Sequence, residues 1–327
     1  MAGTLRWSVR QQDPRETPLA ATDRCVRWIL PPCRTKGDSL MKNMPFGRLS
    51  ARLAATSAAL ALVAGFTAAP ASAAPANPQP PAPVYVALGD SYAAGTGGGA
   101  YTASPFGLPA ECLQTAAAYP VVLRPTAVNL GCFGAKTTDV ALVAERSAAL
   151  LQSATVVTVT VGGNDINTGQ VAVSCTIPGT TSTCEAALFD SLAVKLRELP
   201  GKIKNMLDVV KAKAPKAKIV LTGYPRLFTV DPLLSPQQAQ TAKTMNSAAD
   251  LLNATIAYSA LVNRVRYVSV TERFIGHGIG STQPWIVAPE GLCNPLANCS
   301  LSPFDAFHPT ATGYSDGYAA ALAAQVR

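Results

Sequence analysis

Five short apolar, β-branched runs, separated by longer stretches of helical periodicity, constrain this chain more than any other feature. The runs are Val84-Tyr85-Val86-Ala87-Leu88, Ala127-Val128-Asn129-Leu130, residues 154–161, 218–222 and 266–270. Such runs suit strands covered on both faces. Helical spacing fills the intervals at 138–151, 184–214, 235–263 and 310–326. In the second of these, Leu188, Leu192, Leu196, Leu199, Ile203, Met206, Leu207 and Val210 recur at steps of three and four. Pro200-Gly201 is expected to break that stretch in two, and Pro236 suits the first turn of the next. Strand and helix in alternation imply right-handed crossovers. The expected fold class is α/β, a three-layer α/β/α sandwich with a five-stranded parallel sheet. No internal repeat is present.

The beginning of the chain reads differently. Lys42, Arg48 and Arg52 precede an apolar, small-residue stretch from Leu53 to Ala69, and Ala71-Ser72-Ala73 has the form of a cleavage site. Residues 41–73 are therefore expected to be a secretory signal. Residues 1–40, rich in arginine, read as an upstream extension with Met41 or Met44 as the true start, or as a disordered leader. Residues 74–83 are rich in Pro and Ala and read as a mobile lead-in. The folded domain is expected over 84–327.

This division changes the charge argument. The chain has 27 Lys+Arg and 19 Asp+Glu, of which the first 73 residues carry 10 and 4. The remaining 254 residues keep 17 and 15, a net charge of about +2 rather than +8. The basic character is largely a property of the leader, so it is no argument for nucleic-acid binding. A chain of this size suffices for one α/β domain. No later apolar run is long enough to span a bilayer. A soluble, secreted monomer without stable membrane insertion is expected.

Six cysteines lie beyond residue 73: Cys112, Cys132, Cys175, Cys184, Cys293 and Cys299. An even number in an exported chain implies disulfides, and six allow 15 connectivities. Local pairing, Cys112-Cys132, Cys175-Cys184 and Cys293-Cys299, is the simplest. A zinc site would need C-x2-C pairs or nearby histidines, which are lacking. No metal or organic cofactor is implied.

Chemistry-bearing residues gather where strands end. Gly89-Asp90-Ser91-Tyr92 follows the first run, Gly131 to Gly134 the second, and Gly162-Gly163-Asn164-Asp165 the third. In parallel sheets of this kind, ligands bind outside the carboxyl ends of the strands. Asp305-Ala306-Phe307-His308 stands near the end of a chain with only two histidines, His277 and His308. A serine needs a base to become a nucleophile, and the base needs an orienting partner. Singly, each residue has a plainer reading: Ser91 as a helix cap, Asn164 as a turn residue, His308 as a surface side chain, Asp305 as a cap. Together they suggest nucleophilic catalysis. Gly37-Asp38-Ser39 follows no strand and reads as coincidence. Gly95 to Gly99 lacks the spacing of a dinucleotide or phosphate loop and reads as a flexible loop at the mouth of the site.

These blocks, over essentially the whole of the chain beyond residue 73, resemble the SGNH (GDSL-type) esterases and lipases, whose sheet is flavodoxin-like. Gly89-Asp90-Ser91-Tyr92 matches the first block of that family, Asn129 to Gly134 the second, Gly162 to Asp165 the third, and Asp305 to Pro309 the fifth. The six-cysteine pattern is similar to that of secreted actinobacterial lipases, which often carry a cysteine soon after a Gly-His pair; Gly276-His277-Gly278-Ile279-Gly280 has none. The resemblance implies Ser91 as nucleophile, His308 as base and Asp305 as the acid that orients it. It implies an oxyanion hole from the N–H groups of Ser91 and Gly134 and the amide of Asn164. Gly89-x-Ser91-x-Ala93 lacks the second glycine of the α/β-hydrolase elbow.

The expected activity is hydrolysis of carboxylic esters, with small-molecule or lipid ester substrates. Tyr92, Tyr101, Phe106, Phe133, Ile166, Trp285 and Phe307 are expected to form an apolar acyl pocket. His277 is expected to be structural or to line that pocket. A carbohydrate acetyl esterase would instead show an open polar groove. A non-catalytic binding protein on the same fold would not need Ser91, Asn164, Asp305 and His308.

Overall fold

A computed structural model describes residues 84–176, 181–232, 234–289 and 302–326. The expected leader, signal and lead-in segments, and the expected Cys293-Cys299 pair, lie outside these residues. The strands are β1 (Tyr85–Gly89), β2 (Val128–Gly131), β3 (Val156–Thr160), β4 (Lys218–Thr222) and β5 (Arg266–Val268). They form one five-stranded parallel sheet in the order β2-β1-β3-β4-β5. This is the doubly wound order of flavodoxin-like folds. It places β1 between β2 and β3, so the loops leaving these three strands are neighbours.

The helices are α1 (Ser91–Ala94), α2 (Tyr119–Leu123), α3 (Thr137–Arg146), α4 (Ala148–Leu151), α5 (Thr168–Thr176), α6 (Thr181–Leu188), α7 (Leu196–Lys213), α8 (Pro236–Val262) and α9 (Ala320–Leu322). Wider, π-type turns cover Phe189–Lys195 and Gly313–Ala319. Val86 and Leu88 of β1 and Val157 and Val159 of β3 pack with α3, α7 and α8, which supply Val140, Leu199, Ile203, Leu207 and Ile256. The opposite face meets α2 and the C-terminal helix, where Tyr119, Tyr314, Tyr318 and Leu322 are buried. The period-two division of each strand between two helical layers is the reason its sequence reads as predominantly apolar and β-branched instead of alternating with exposed polar residues.

The polar groups on the second face are paired. Tyr85 Oη and Thr158 Oγ1 lie 2.9 Å apart, and Thr160 Oγ1 is 3.0 Å from Tyr119 Oη and 2.7 Å from Thr222 Oγ1. A buried hydroxyl without such a partner would cost about 1–3 kcal/mol.

Pro200 does not break its helix. It lies inside α7, between the fully buried Leu199 and Ile203. Just upstream the helix is already widened: the Leu196 N–H donates to Ser191 O, one residue further than in an α-helix. Burial of the apolar stripe holds the helix across one lost hydrogen bond. By contrast, α8 begins as expected. Ser235 accepts from the Gln238 N–H, Gln238 Oε1 accepts from the Ser235 N–H, and Pro236 follows the cap.

Two disulfides join described residues. Cys112–Cys132 ties a short 3-10 turn to the exit of β2, and Cys175–Cys184 ties α5 to α6.

Candidate active site

β1 ends in Gly89, and only glycine fits there. Its φ is +142°, and a Cβ would stand 2.3 Å from the Thr160 carbonyl oxygen. The chain then turns sharply into α1, with Asp90 as its cap, accepting from the Tyr92 N–H at 3.0 Å. Ser91 therefore opens α1 at the carboxyl end of β1, between the exits of β2 and β3. Gly131, at the end of β2, allows the neighbouring approach: a Cβ there would meet Ala94 N at 2.5 Å. Asn129 fixes it further, its Nδ2 donating to Ala93 O at 3.1 Å and its Oδ1 accepting from Gly131 N–H at 3.0 Å.

His308 comes from the far end of the chain, yet its Nε2 lies 2.7 Å from Ser91 Oγ. Its Nδ1 lies 3.0 Å from the main-chain carbonyl oxygen of Ala306. A carbonyl only accepts, so Nδ1 carries the proton and Nε2 presents a lone pair to the serine hydroxyl. The Asp305 carboxylate is turned elsewhere: it accepts a hydrogen bond from the Tyr101 hydroxyl. The orienting partner of the imidazole is thus main chain, while Asp305 meets His308 through its own carbonyl, which accepts from the His308 N–H at 3.1 Å. The backbone reason is local. Phe307 takes a left-handed φ of +65°, which turns the strap of residues 305–308 so that residue 306 faces back on the ring. That conformation is held by bonds on both sides: Phe307 N–H to Val287 O at 2.9 Å, Val287 N–H to His308 O at 2.8 Å, and Tyr92 Oη to Phe307 O at 2.7 Å.

Gly134 and Asn164 follow β2 and β3, the strands on either side of β1. Gly134 has φ +75° and open space where a Cβ would be. Neither its N–H nor that of Ser91 finds an acceptor among the described residues. Asn164 opens a 3-10 turn after β3, and its Nδ2 donates one hydrogen to Ala135 O at 3.0 Å. Asp165 beside it accepts from the Thr137 N–H at 3.0 Å and Thr137 Oγ1 at 2.6 Å, pinning this loop to the start of α3.

Tyr224, which sequence reasoning passed over, links two of these loops. Its hydroxyl donates to Asp90 Oδ2 and accepts from the Gly163 N–H at 3.1 Å. Burial pushes the Asp90 carboxyl up to about 7, with the Tyr224 and Tyr92 hydrogen bonds opposing the rise.

The aromatic residues expected to form one acyl pocket divide among different places. Phe133 lies 5.8 Å from the His308 ring and meets Phe304 edge-on at 5.5 Å, forming an apolar wall at the site. Ile166 is in the core. Phe106 lines a separate cleft with Val121 and Pro125. Tyr92 is wedged between His308 and Tyr224. Trp285 stacks on His277 at 3.7 Å, and that histidine's Nδ1 bonds to Gln283 O at 2.9 Å. His277 therefore braces the Trp285–Val287 segment, whose backbone pairs with Phe307 and His308.

Packing also changes His308, the candidate base. The faces of His308 are covered by Tyr92 and Phe133, and Gly97 packs beneath its Cβ. Burial pulls its pKa down to about 4, against the raising effect of the Ala306 carbonyl and Asp305. The expectation from an unperturbed imidazole, near 6–7, does not hold here. A base works when neutral, so a lowered pKa extends activity toward acid. The kcat/KM for a soluble ester should rise with pH through about 4 and be level by neutrality. A limb centred at 6–7 would contradict this packing effect.

Comparisons with known proteins give the fold and its site a family. The family model described as GDSL-like Lipase/Acylhydrolase matches residues 87–315. A lipase of Streptomyces rimosus is 32% identical over 277 residues, covering 83% of this chain and 97% of that protein. Lipase 1 of Streptomyces coelicolor is 30% identical over 272 residues, covering 82% and 96%. Among solved structures, the extracellular lipase of S. rimosus superposes with a TM-score of 0.63 at 29% identity, over 74% of this chain and 99% of that one. Phospholipase A1 of Streptomyces albidoflavus superposes with 0.62 at 31%, over the same shares. With a matching family model over most of the chain and lipase relatives along nearly their full length, the chain belongs to the GDSL-like lipase/acylhydrolase family and is a carboxylic ester hydrolase.

Proposed function

We propose that the enzyme cleaves lipid acyl esters through an acyl-enzyme on Ser91. The observation that carries this is the aligned pair: Ser91 Oγ on His308 Nε2 at 2.7 Å, with Nδ1 held by the Ala306 carbonyl at 3.0 Å. Ser91 Oγ attacks the ester carbonyl while its proton passes to Nε2. The carbonyl oxygen becomes an oxyanion and is met by the N–H groups of Ser91 and Gly134 and the Asn164 amide. The tetrahedral adduct collapses, the C–O bond breaks, and His308 gives its proton to the leaving alcohol. Water, deprotonated by His308, then attacks the acyl-serine and releases the carboxylic acid. Asp305 serves the strap through Tyr101 rather than the imidazole directly.

Lipid acyl esters are favoured over acetylated carbohydrate because Phe133 and Phe304 wall the site, and because the similar proteins are lipases and a phospholipase A1. Hydrolysis of p-nitrophenyl esters from acetate to palmitate tests this. Rates should climb beyond acetate and vanish in Ser91→Ala; strict preference for acetate, with release of acetate from acetylated polysaccharide, would favour the carbohydrate reading.

Residues 41–73 are proposed to direct export, supported by the two disulfides and by a relative described as extracellular. N-terminal sequencing of the enzyme recovered from the medium should begin near Ala74. Finding residues 1–40 on it would sink this proposal.

A further inference from the structure

The end of the sheet opposite the active site carries charge that catalysis does not use. Lys218 opens β4 and Arg266 opens β5. With Lys211 and Arg264 they line a cleft of about 330 Å³. No Asp or Glu occurs between Asp208 and Asp231, or between Asp250 and Glu272. The ion pairs among the described residues involve none of these four cations. Lys211 has a structural role, its Nζ donating to Asn263 O at 2.6 Å and tying the end of α7 to the end of α8. A cation suits a helix C-terminus, so Lys211 needs no ligand to explain it. Lys218, Arg264 and Arg266 make no such bond among the described residues, and both arginines are exposed.

Apolar residues lie beside them. The last turns of α8 expose Tyr258 (58%), Leu261 (75%) and Val262 (54%). The Arg264 N–H donates to Leu261 O at 3.1 Å, so the apolar and basic groups share one corner of the molecule. Exposed aliphatic and tyrosyl side chains bordered by cations fit the boundary between headgroups and acyl chains, and the cations complement anionic lipid. No helix among the described residues is long and apolar enough to cross a membrane, so attachment here is peripheral.

We propose that this corner, built from Lys218, Arg264, Arg266, Tyr258, Leu261 and Val262, docks the protein on an anionic lipid surface. The active site lies beyond the carboxyl ends of the strands and this corner at their amino ends. Docking therefore holds the enzyme at a surface with its cleft facing solution, a tether rather than a feed of substrate. The inference is independent of the catalytic roles given to Ser91 and His308.

The test is co-sedimentation with vesicles of phosphatidylcholine alone or with phosphatidylglycerol, comparing wild type with Lys218→Gln/Arg264→Gln/Arg266→Gln and with Leu261→Gln. All proteins are used in the form the expression host yields, so the N-terminal region is common to them. Wild type should bind the anionic vesicles, weakly bind the neutral ones, and release with salt. Each cation removed should weaken binding about fivefold, so on the order of 100-fold for the triple variant. Leu261→Gln should weaken it less. Hydrolysis of a soluble p-nitrophenyl ester should be unchanged in both variants, which reports an intact fold. Equal binding to neutral and anionic vesicles, no binding to either, or equal binding of wild type and the triple variant would each overturn the proposal. Retention on immobilised polyphosphate without vesicle binding would also overturn it, and would point to an anionic polymer.

Discussion

Ser91→Ala and His308→Ala should each lower kcat by about 10⁴–10⁶-fold while leaving the thermal transition close to that of wild type. In the proposed mechanism nucleophile and base act as one unit, so the double variant should lose little more than either single one. The contrast is Asp305→Asn. With Nδ1 held by the Ala306 carbonyl, this change leaves the imidazole tautomer in place and should cost far less than loss of a triad aspartate, about 10⁴-fold in enzymes where the carboxylate orients the ring. The measurement is kcat and KM on one soluble ester for all four variants, with circular dichroism as the fold control. A loss in Asp305→Asn as deep as in His308→Ala would show the carboxylate swinging onto the ring during turnover.

Asn164→Ala should reduce kcat by about 10²–10³-fold with little change in KM. In the oxyanion role proposed for it, its amide contributes most once negative charge has developed on the substrate oxygen, so the loss falls on the transition state. The side chain is half-buried and its hydrogen bond in the free enzyme runs to Ala135 O, so the fold should survive its removal. Steady-state kinetics separates the outcomes. A raised KM with kcat intact would make Asn164 a substrate-binding residue instead of an oxyanion donor.

The sheet and the positions of the site loops were legible because their causes are local. A strand covered on both faces carries mostly apolar and β-branched side chains, as β1 and β3 do, with the threonines of β3 paired through their hydroxyls. A glycine at a strand exit that must pass within contact of its neighbour leaves its mark as Gly89 or Gly131. What escaped depends on groups far apart in the chain, or on no side chain at all. Pro200 looked like a helix breaker because its local cost is visible, while the burial of Leu199 and Ile203 that offsets it is tertiary. Asp305, three residues before His308, looked like the orienting acid; nothing in Asp-x-x-His reveals that Tyr101, from the distant loop after α1, holds its carboxylate. Tyr224 reads as an ordinary core aromatic until its hydroxyl is seen between Asp90 and Gly163. The lowered pKa of His308 follows from Tyr92 and Phe133 closing on it, which no local pattern announces.

An acceptor supplied by the peptide unit of Ala306 has no codon of its own. Any residue type at that position carries the same carbonyl, so a single base change cannot delete the partner of the imidazole as it can delete a carboxylate. Vulnerability moves to whatever sets the path of the chain. Phe307, a non-glycine residue at positive φ, is one such point, and the Val287 segment that clasps it from both sides is another. Random mutagenesis selected for inactive but folded protein should therefore gather hits in the strap and its clasp and pass over residue 306, while substitutions of Asp305 should be common among the variants that stay active.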